Sequence, residues 1–284
     1  MSTNPTASID TPQPIALADS ALVNRLAPSL NHGERRDGKT VDMLILHYTG
    51  MPAGRGMTMA ERAISWLADP RSQVSAHYVV GEDGEIVQMV AEARRAWHAG
   101  RAYWAGETDV NSRSIGIEIA HAGHPWDGQY PDLAPGEVLP NHPGLLAFPE
   151  AQVEAVIGLC RDICERRGIA PERVLAHSDI APDRKRDPGE TFPWARLAAA
   201  GVGRWIEPAP VRSGRFFARG DEGQPVQALQ SMLAFFGYGI DISGVFDEAT
   251  EQVVSAFQRH FRPAKVDGVA DASTIESLYK LARG

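Results

Sequence analysis

The chain has 284 residues, 43% hydrophobic and 23% charged, which fits an ordinary globular protein of one large domain or two smaller ones. Its net charge of -8 leaves no basic footprint for phosphate, so the composition argues against a nucleic-acid partner. No run of about 18 apolar residues occurs, so no transmembrane segment is expected.

Residues 1–25 are rich in Pro, Ser, Thr and Ala and read as a flexible N-terminal tail. They contain neither a basic region followed by an apolar core nor a cysteine, so no export address is read there, which points to the cytoplasm. "VDMLILHYTG" is a continuous apolar run closed by a glycine turn, the pattern of a strand buried on both faces. "TMAERAISWLADP" predicts a helix, with Thr58 and Glu61 at capping-box spacing and Pro70 as its stop. "VSAHYVVGEDGEIVQMV" predicts a hairpin about Glu82-Asp83-Gly84. In "SRSIGIEIAHAG", Ile115, Ile117 and Ile119 alternate with Gly116, Glu118 and Ala120, which predicts a strand with two unlike faces.

Residues 121–149 are dense in proline and glycine without a period, and predict a long loop near the functional cleft. "FPEAQVEAVIGLCRDICERRG" predicts a helix opened at Pro149 and closed at Gly168. Its two cysteines, Cys160 and Cys164, sit one turn apart and read as small buried hydrophobes, not a disulfide. "ERVLAH" is another short apolar strand, and "FPWARLAAAG" opens a short helix. A composition break at 206–214 reads as a linker. Beyond it three helical stretches follow, separated by two similar phrases, "DISGVFDEAT" and "KVDGVADAST", a weak internal repeat.

Two histidines occupy matching contexts: His47 ends "LILH" and His177 ends "VLAH". If those strands are parallel neighbours, both imidazoles reach one edge of the sheet, where α/β proteins bind ligands. Either histidine alone would read as a strand-end residue satisfied locally. A catalytic zinc needs three protein ligands and an open position, and two histidines with one aspartate meet that need. Asp179, Asp183 and Asp187 all qualify as the third ligand, and spacing does not choose among them. Glu118, on the face opposite the isoleucines, is a candidate general base. Lys185 is a candidate stabiliser of a developing oxyanion.

"ILHYT", "SAHYVVGEDGEIVQMV", "AWHAG", "NSRSIGIEI" and "AHSDIAPDRKRDPG" occur here in that order. Together they resemble the zinc-dependent N-acetylmuramoyl-L-alanine amidases related to peptidoglycan recognition proteins. The last seventy residues resemble the small peptidoglycan-binding module appended to such enzymes. The resemblance implies an α/β domain over 26–205, with a mixed central sheet flanked by helices, and an all-α three-helix domain over 215–284. It implies one Zn2+ per chain on His47, His177 and Asp187, with Glu118 and Lys185 catalytic. His98 and Asn111 fall where the family contacts substrate, and His77 is left structural. The implied reaction is hydrolysis of the amide between the lactyl group of N-acetylmuramic acid, or its anhydro form, and L-alanine. Two rivals stay open at this level. One is a non-catalytic peptidoglycan-binding protein. The other is a cytoplasmic recycling amidase for soluble anhydro-muropeptides, against which the C-terminal module argues, since a wall-binding domain points to the periplasm or cell envelope instead.

Overall fold

A computed structural model describes residues 15–54, 56–124, 147–212, 214 and 216–283. The elements run β1 (Arg25–Leu26), β2 (His32–Gly33), β3 (Met43–Tyr48), α1 (Met59–Ala68), β4 (Tyr78–Val80), β5 (Ile86–Gln88) and β6 (Arg95–Ala96). Then come α2 (Val110–Arg113), β7 (Ser114–Ile119), α3 (Glu150–Arg167), β8 (Val174–Ala176), α4 (His177–Ile180) and α5 (Trp194–Ala199). The C-terminal helices are α6 (Gln224–Phe236), α7 (Glu248–Phe261) and α8 (Ala272–Arg283).

Six strands form one sheet in the order β1-β5-β4-β7-β3-β8. β4 and β5 are antiparallel and the other pairings parallel, so the sheet is mixed, as expected. All six residues of β3 are buried, as its unbroken apolar run predicts for a central strand. Leu44 and Leu46 share a core with Ile115, Ile117 and Ile119, into which α3 packs Val153, Val156 and Leu159. The β3–β7 register pairs Ile45 with Gly116 and His47 with Glu118, so these four residues share the opposite face.

The local predictions hold for mechanical reasons. Thr58 and Glu61 close a reciprocal capping box at the start of α1, and α1 ends at Ala68 before Pro70. Both cysteines are free. One expectation needs adjustment. The N-terminal tail is docked where it is described: the backbone N–H of Asp19 donates to Gln88, and Arg25 pairs with Val87 at the sheet edge. Within the expected loop 121–149, residues 125–146 lie outside the described residues.

The repeated turn phrases of the C-terminal region fold alike around one buried glutamine each. Gln230 donates to the carbonyl of Val245 and to Thr250, and accepts from the N–H of Gly244. Gln258 donates to the carbonyl of Val269 and to Thr274, and accepts from the N–H of Gly268. Asp247 and Asp271 each accept the N–H of the threonine three residues on. The three helices do not stand apart from the sheet. A single apolar core joins Met43, Ile45, Trp104 and Ile180 to Leu233, Phe257 and Phe261.

Candidate metal centre and its cleft

β3 and β8 are parallel neighbours, with Leu46 opposite Ala176, so His47 and His177 emerge together at the carboxyl edge. His177 opens the short helix α4 rather than extending the strand. The two Nδ1 atoms are 2.8 Å apart. Asp187 Oδ2 lies 2.9 Å from His177 Nδ1 and 3.2 Å from His47 Nδ1. Of the three aspartates that spacing left open, Asp187 alone joins this cluster. Asp183 pairs with Arg101 on the surface, and Asp179 turns away toward α7.

The hydrogen-bond network fixes which nitrogens carry protons. His177 Nε2 faces the carbonyl oxygen of Ala99 at 3.1 Å, so it must be the N–H donor. Ser114 Oγ donates to the carbonyl of Val110, so it accepts from His98 Nε2–H. That leaves His98 Nδ1 as an acceptor, which faces His47 Nε2 at 3.0 Å and accepts a hydrogen bond from its N–H. Both His47 Nδ1 and His177 Nδ1 therefore present lone pairs to each other and to a carboxylate oxygen. Three acceptors converging in a buried space are the chemistry of a cation site, with outer partners orienting each imidazole. Burial, and then the charge of His177, lowers the His47 pKa to about 4, so its imidazole is neutral at pH 7. Two neutral imidazoles and one carboxylate are the donor types zinc takes in catalytic sites, and the residues present fit that ion.

Glu118 stands beside the cluster on β7, opposite His47. Its Oε2 is buried and finds no partner among the described residues. Burial, and then the Asp187 carboxylate, push its pKa up to about 8, with Lys185 opposing. A proton carrier works best when its pKa lies near the operating pH. Glu118, His98, His177, Lys185 and Asp187 all line one cleft of about 430 Å³.

His98 thus touches both the cleft wall and His47. Gly116 explains how it fits: a Cβ there would fall 2.4 Å from the His98 ring. Asn111 is not part of the cleft lining. Its side-chain oxygen accepts the backbone N–H groups of His98 and Ala99, and so braces the strand end that orients both histidines. His77 is satisfied structurally, donating to the carbonyl of Arg94 and accepting from the N–H of Gly116.

Sequence reasoning passed over Trp66 and Trp97, which line the same cleft. Trp66 is 48% exposed on α1, and that exposure is the signal. A helical pattern alone does not reveal it. Arg184, which the sequence offers only as a solvated or loop-bracing charge, braces the loop. Its guanidinium donates to the carbonyls of Ala99 and Arg101, so Ala99 anchors both His177 and the loop bearing Lys185.

Residues 37–190 match the family described as N-acetylmuramoyl-L-alanine amidase, and residues 222–278 match a peptidoglycan binding domain. The chain is 36% identical over 243 residues to the N-acetylmuramoyl-L-alanine amidase AmiD of Escherichia coli, covering 82% of this chain and 79% of that protein. It is 31% identical over 184 residues to the 1,6-anhydro-N-acetylmuramyl-L-alanine amidase AmpD of Escherichia coli, covering 61% of this chain and 89% of that one. The fold superposes on that of AmiD in complex with anhydro-N-acetylmuramic acid-L-Ala-D-gamma-Glu-L-Lys, with a TM-score of 0.64 at 34% identity, covering 85% of this chain and 89% of that one. It also superposes on AmpDH3 of Pseudomonas aeruginosa in complex with an anhydromuramic pentapeptide, with a TM-score of 0.62 at 28% identity, covering 87% and 91%.

Proposed function

Because the chain belongs to the N-acetylmuramoyl-L-alanine amidase family and is an enzyme, we propose that it hydrolyses the bond between the lactyl group of N-acetylmuramic acid and L-alanine. The anhydro sugar is included among its substrates, since AmiD and AmpDH3 are both seen with anhydromuramyl peptides. The observation that carries the reading is the meeting of three acceptor atoms beside Glu118, whose buried Oε2 has no partner among the described residues.

In this reading His47, His177 and Asp187 hold one zinc ion. Zinc, when bound, supplies a Lewis acid that makes water more acidic and draws electron density from a carbonyl oxygen. Glu118 removes a proton from the attacking water as the oxygen closes on the lactyl carbonyl carbon. The Lys185 ammonium stabilises the negative charge that develops on the carbonyl oxygen. Glu118 then returns the proton to the nitrogen of L-alanine, so that the C–N bond breaks with a neutral amine leaving. His98 holds the His47 ring in its tautomer from the cleft wall, and Asn111 supports it from behind. A non-catalytic role is disfavoured by the completeness of this set.

We assign residues 26–205 to the catalytic domain, 206–214 to the linker and 215–284 to a domain that holds polymeric murein near the cleft. That assignment favours murein over soluble muropeptides as the principal substrate, though both present the same scissile bond.

Mass spectrometry of digested murein tests the reading. Free peptides beginning with L-alanine are expected, lost on chelation and restored by zinc. Products cut elsewhere, or cleavage indifferent to chelation, would sink it. Intact sacculi and soluble anhydro-muropeptides digested side by side rank the two substrates.

A further inference from the structure

The segment 177–190 carries His177, Lys185 and Asp187, and both of its ends are held by the C-terminal helical region. At the first end stands Asp179, a carboxylate with no exposure, two residues after His177. Its Oδ1 accepts the hydroxyl of Tyr238 at 2.7 Å, and its Oδ2 accepts His260 Nδ1–H at 2.7 Å. The same Oδ2 accepts the backbone N–H of Ala176, at the turn where β8 delivers His177. At the other end stands Glu190. It is gripped between His124 and Arg259, and Arg259 Nε donates to it at 2.9 Å. The two ends are tied by the N–H of Ser178, which donates to the carbonyl of Asp187 at 3.0 Å.

The approach of the two regions is built into the chain. Tyr238 sits between Gly237 and Gly239. A Cβ on Gly237 would lie 2.6 Å from the Trp104 ring, and one on Gly239 would lie 2.8 Å from the Tyr103 ring. The carbonyl of Gly237 accepts the N–H of Ala105. Only glycine lets the backbone come this near, and the reward is the insertion of Tyr238 to Asp179. On the other side His260 is stacked on Trp194, with ring centroids 3.8 Å apart. A tethered domain that merely bound murein would need none of this.

We propose that Tyr238, His260 and Arg259 are positioning residues of the amidase, and that the C-terminal helices brace the segment presenting His177, Lys185 and Asp187. This rests on the proposed function only in naming what that segment holds. A buried carboxylate fixes its neighbours only while its oxygens are satisfied, so loss of a donor frees the turn that aims His177.

Four full-length variants test it. Tyr238→Phe and Arg259→Met remove donors at the two ends. His260→Asn keeps a donor toward Asp179. Ser277→Ala removes the bond that α8 accepts from the backbone N–H of Ala209 in the linker and touches neither end, as a control for general loosening. Hydrogen exchange on the metal-free proteins is read first. Tyr238→Phe and Arg259→Met are expected to exchange about tenfold faster over 177–190, the cost of one buried hydrogen bond. His260→Asn and Ser277→Ala are expected to match the wild type there. Cobalt uptake is read next. Affinity in the first two variants is expected to fall about tenfold with an altered visible spectrum, the usual scale for an outer partner of a metal ligand. Turnover is expected to fall with KM and murein binding unchanged. Wild-type exchange and wild-type cobalt spectra in Tyr238→Phe and Arg259→Met would overturn the proposal, as would an effect confined to murein binding and KM. If the wild type took up no metal, the function would fail while the exchange result still decided the brace.

Discussion

Two groups of buried polar side chains in this chain are satisfied in opposite ways. In the C-terminal repeat, Gln230 and Gln258 each bind a carbonyl, a threonine hydroxyl and a glycine N–H. In the cleft, two imidazole nitrogens confront each other at 2.8 Å, and a glutamate oxygen beside them has no partner among the described residues. Protein interiors pair their polar groups because an unpaired one costs about 1–3 kcal/mol. The repeat obeys that rule and makes structure. The cleft departs from it, which is the pattern of a site whose polar groups are completed by a ligand.

The contrast can be tested by breaking each side. Asp187→Ala should abolish both zinc uptake and amide cleavage, whereas Glu118→Gln should keep the metal and lose about 10²–10⁴ in turnover, the usual contribution of a general base. Metal analysis alongside turnover separates the two, and a zinc-free Glu118→Gln protein would refute the division of roles. Lys185→Ala should remain metallated and lose about 10²–10³, as for one missing oxyanion stabiliser. Wild-type turnover there would remove Lys185 from the site.

On the structural side, Gln258→Leu and Gln230→Leu should each destabilise the fold by about 1–3 kcal/mol in urea unfolding, because each strands a backbone N–H and a carbonyl. Neither should change the metal affinity of the remaining folded protein.

The smallest effect is in pH. Burial lowers the pKa of His47 to about 4 and that of His77 to about 3, while unfolded histidine titrates near 6.5. Below pH 6.5 the unfolded chain therefore binds protons the folded chain refuses, and stability falls as pH drops toward 4. Glu118 acts the other way. Its folded pKa of about 8 means that stability present at low pH is lost as pH rises through 8. The metal-free wild type should be most stable near pH 6.5, and Glu118→Gln should lose the decline on the alkaline side. Unfolding midpoints at pH 5, 6.5 and 8.5 check this, and a flat profile would contradict the buried neutral histidines.

Much of this was legible along the chain. The apolar run of β3, the alternation of β7 and the capping box at Thr58 are short-range signals, written within one or two turns of backbone. His47, His177 and Glu118 stood out because each falls on a readable strand or strand end. The choice of Asp187 over Asp179 and Asp183 came from the family resemblance, since loop spacing does not say where a carboxylate points. Trp66 carried no motif, and Gln230 and Gln258 were hidden because an amide in a helix looks like any surface polar residue.

By itself, then, the sequence determined the order and type of the elements, the repeat, and the residues with chemistry to offer, because those depend on local periodicity and composition. The tertiary structure decided the rest. It brought two strand ends together in parallel register, fixed two imidazole tautomers through Ala99 and Ser114, and turned Asp179 into one of the contacts between the sheet domain and the C-terminal helices. Those outcomes depend on atoms that are distant in the chain and near in space, and no local pattern encodes their distance or direction.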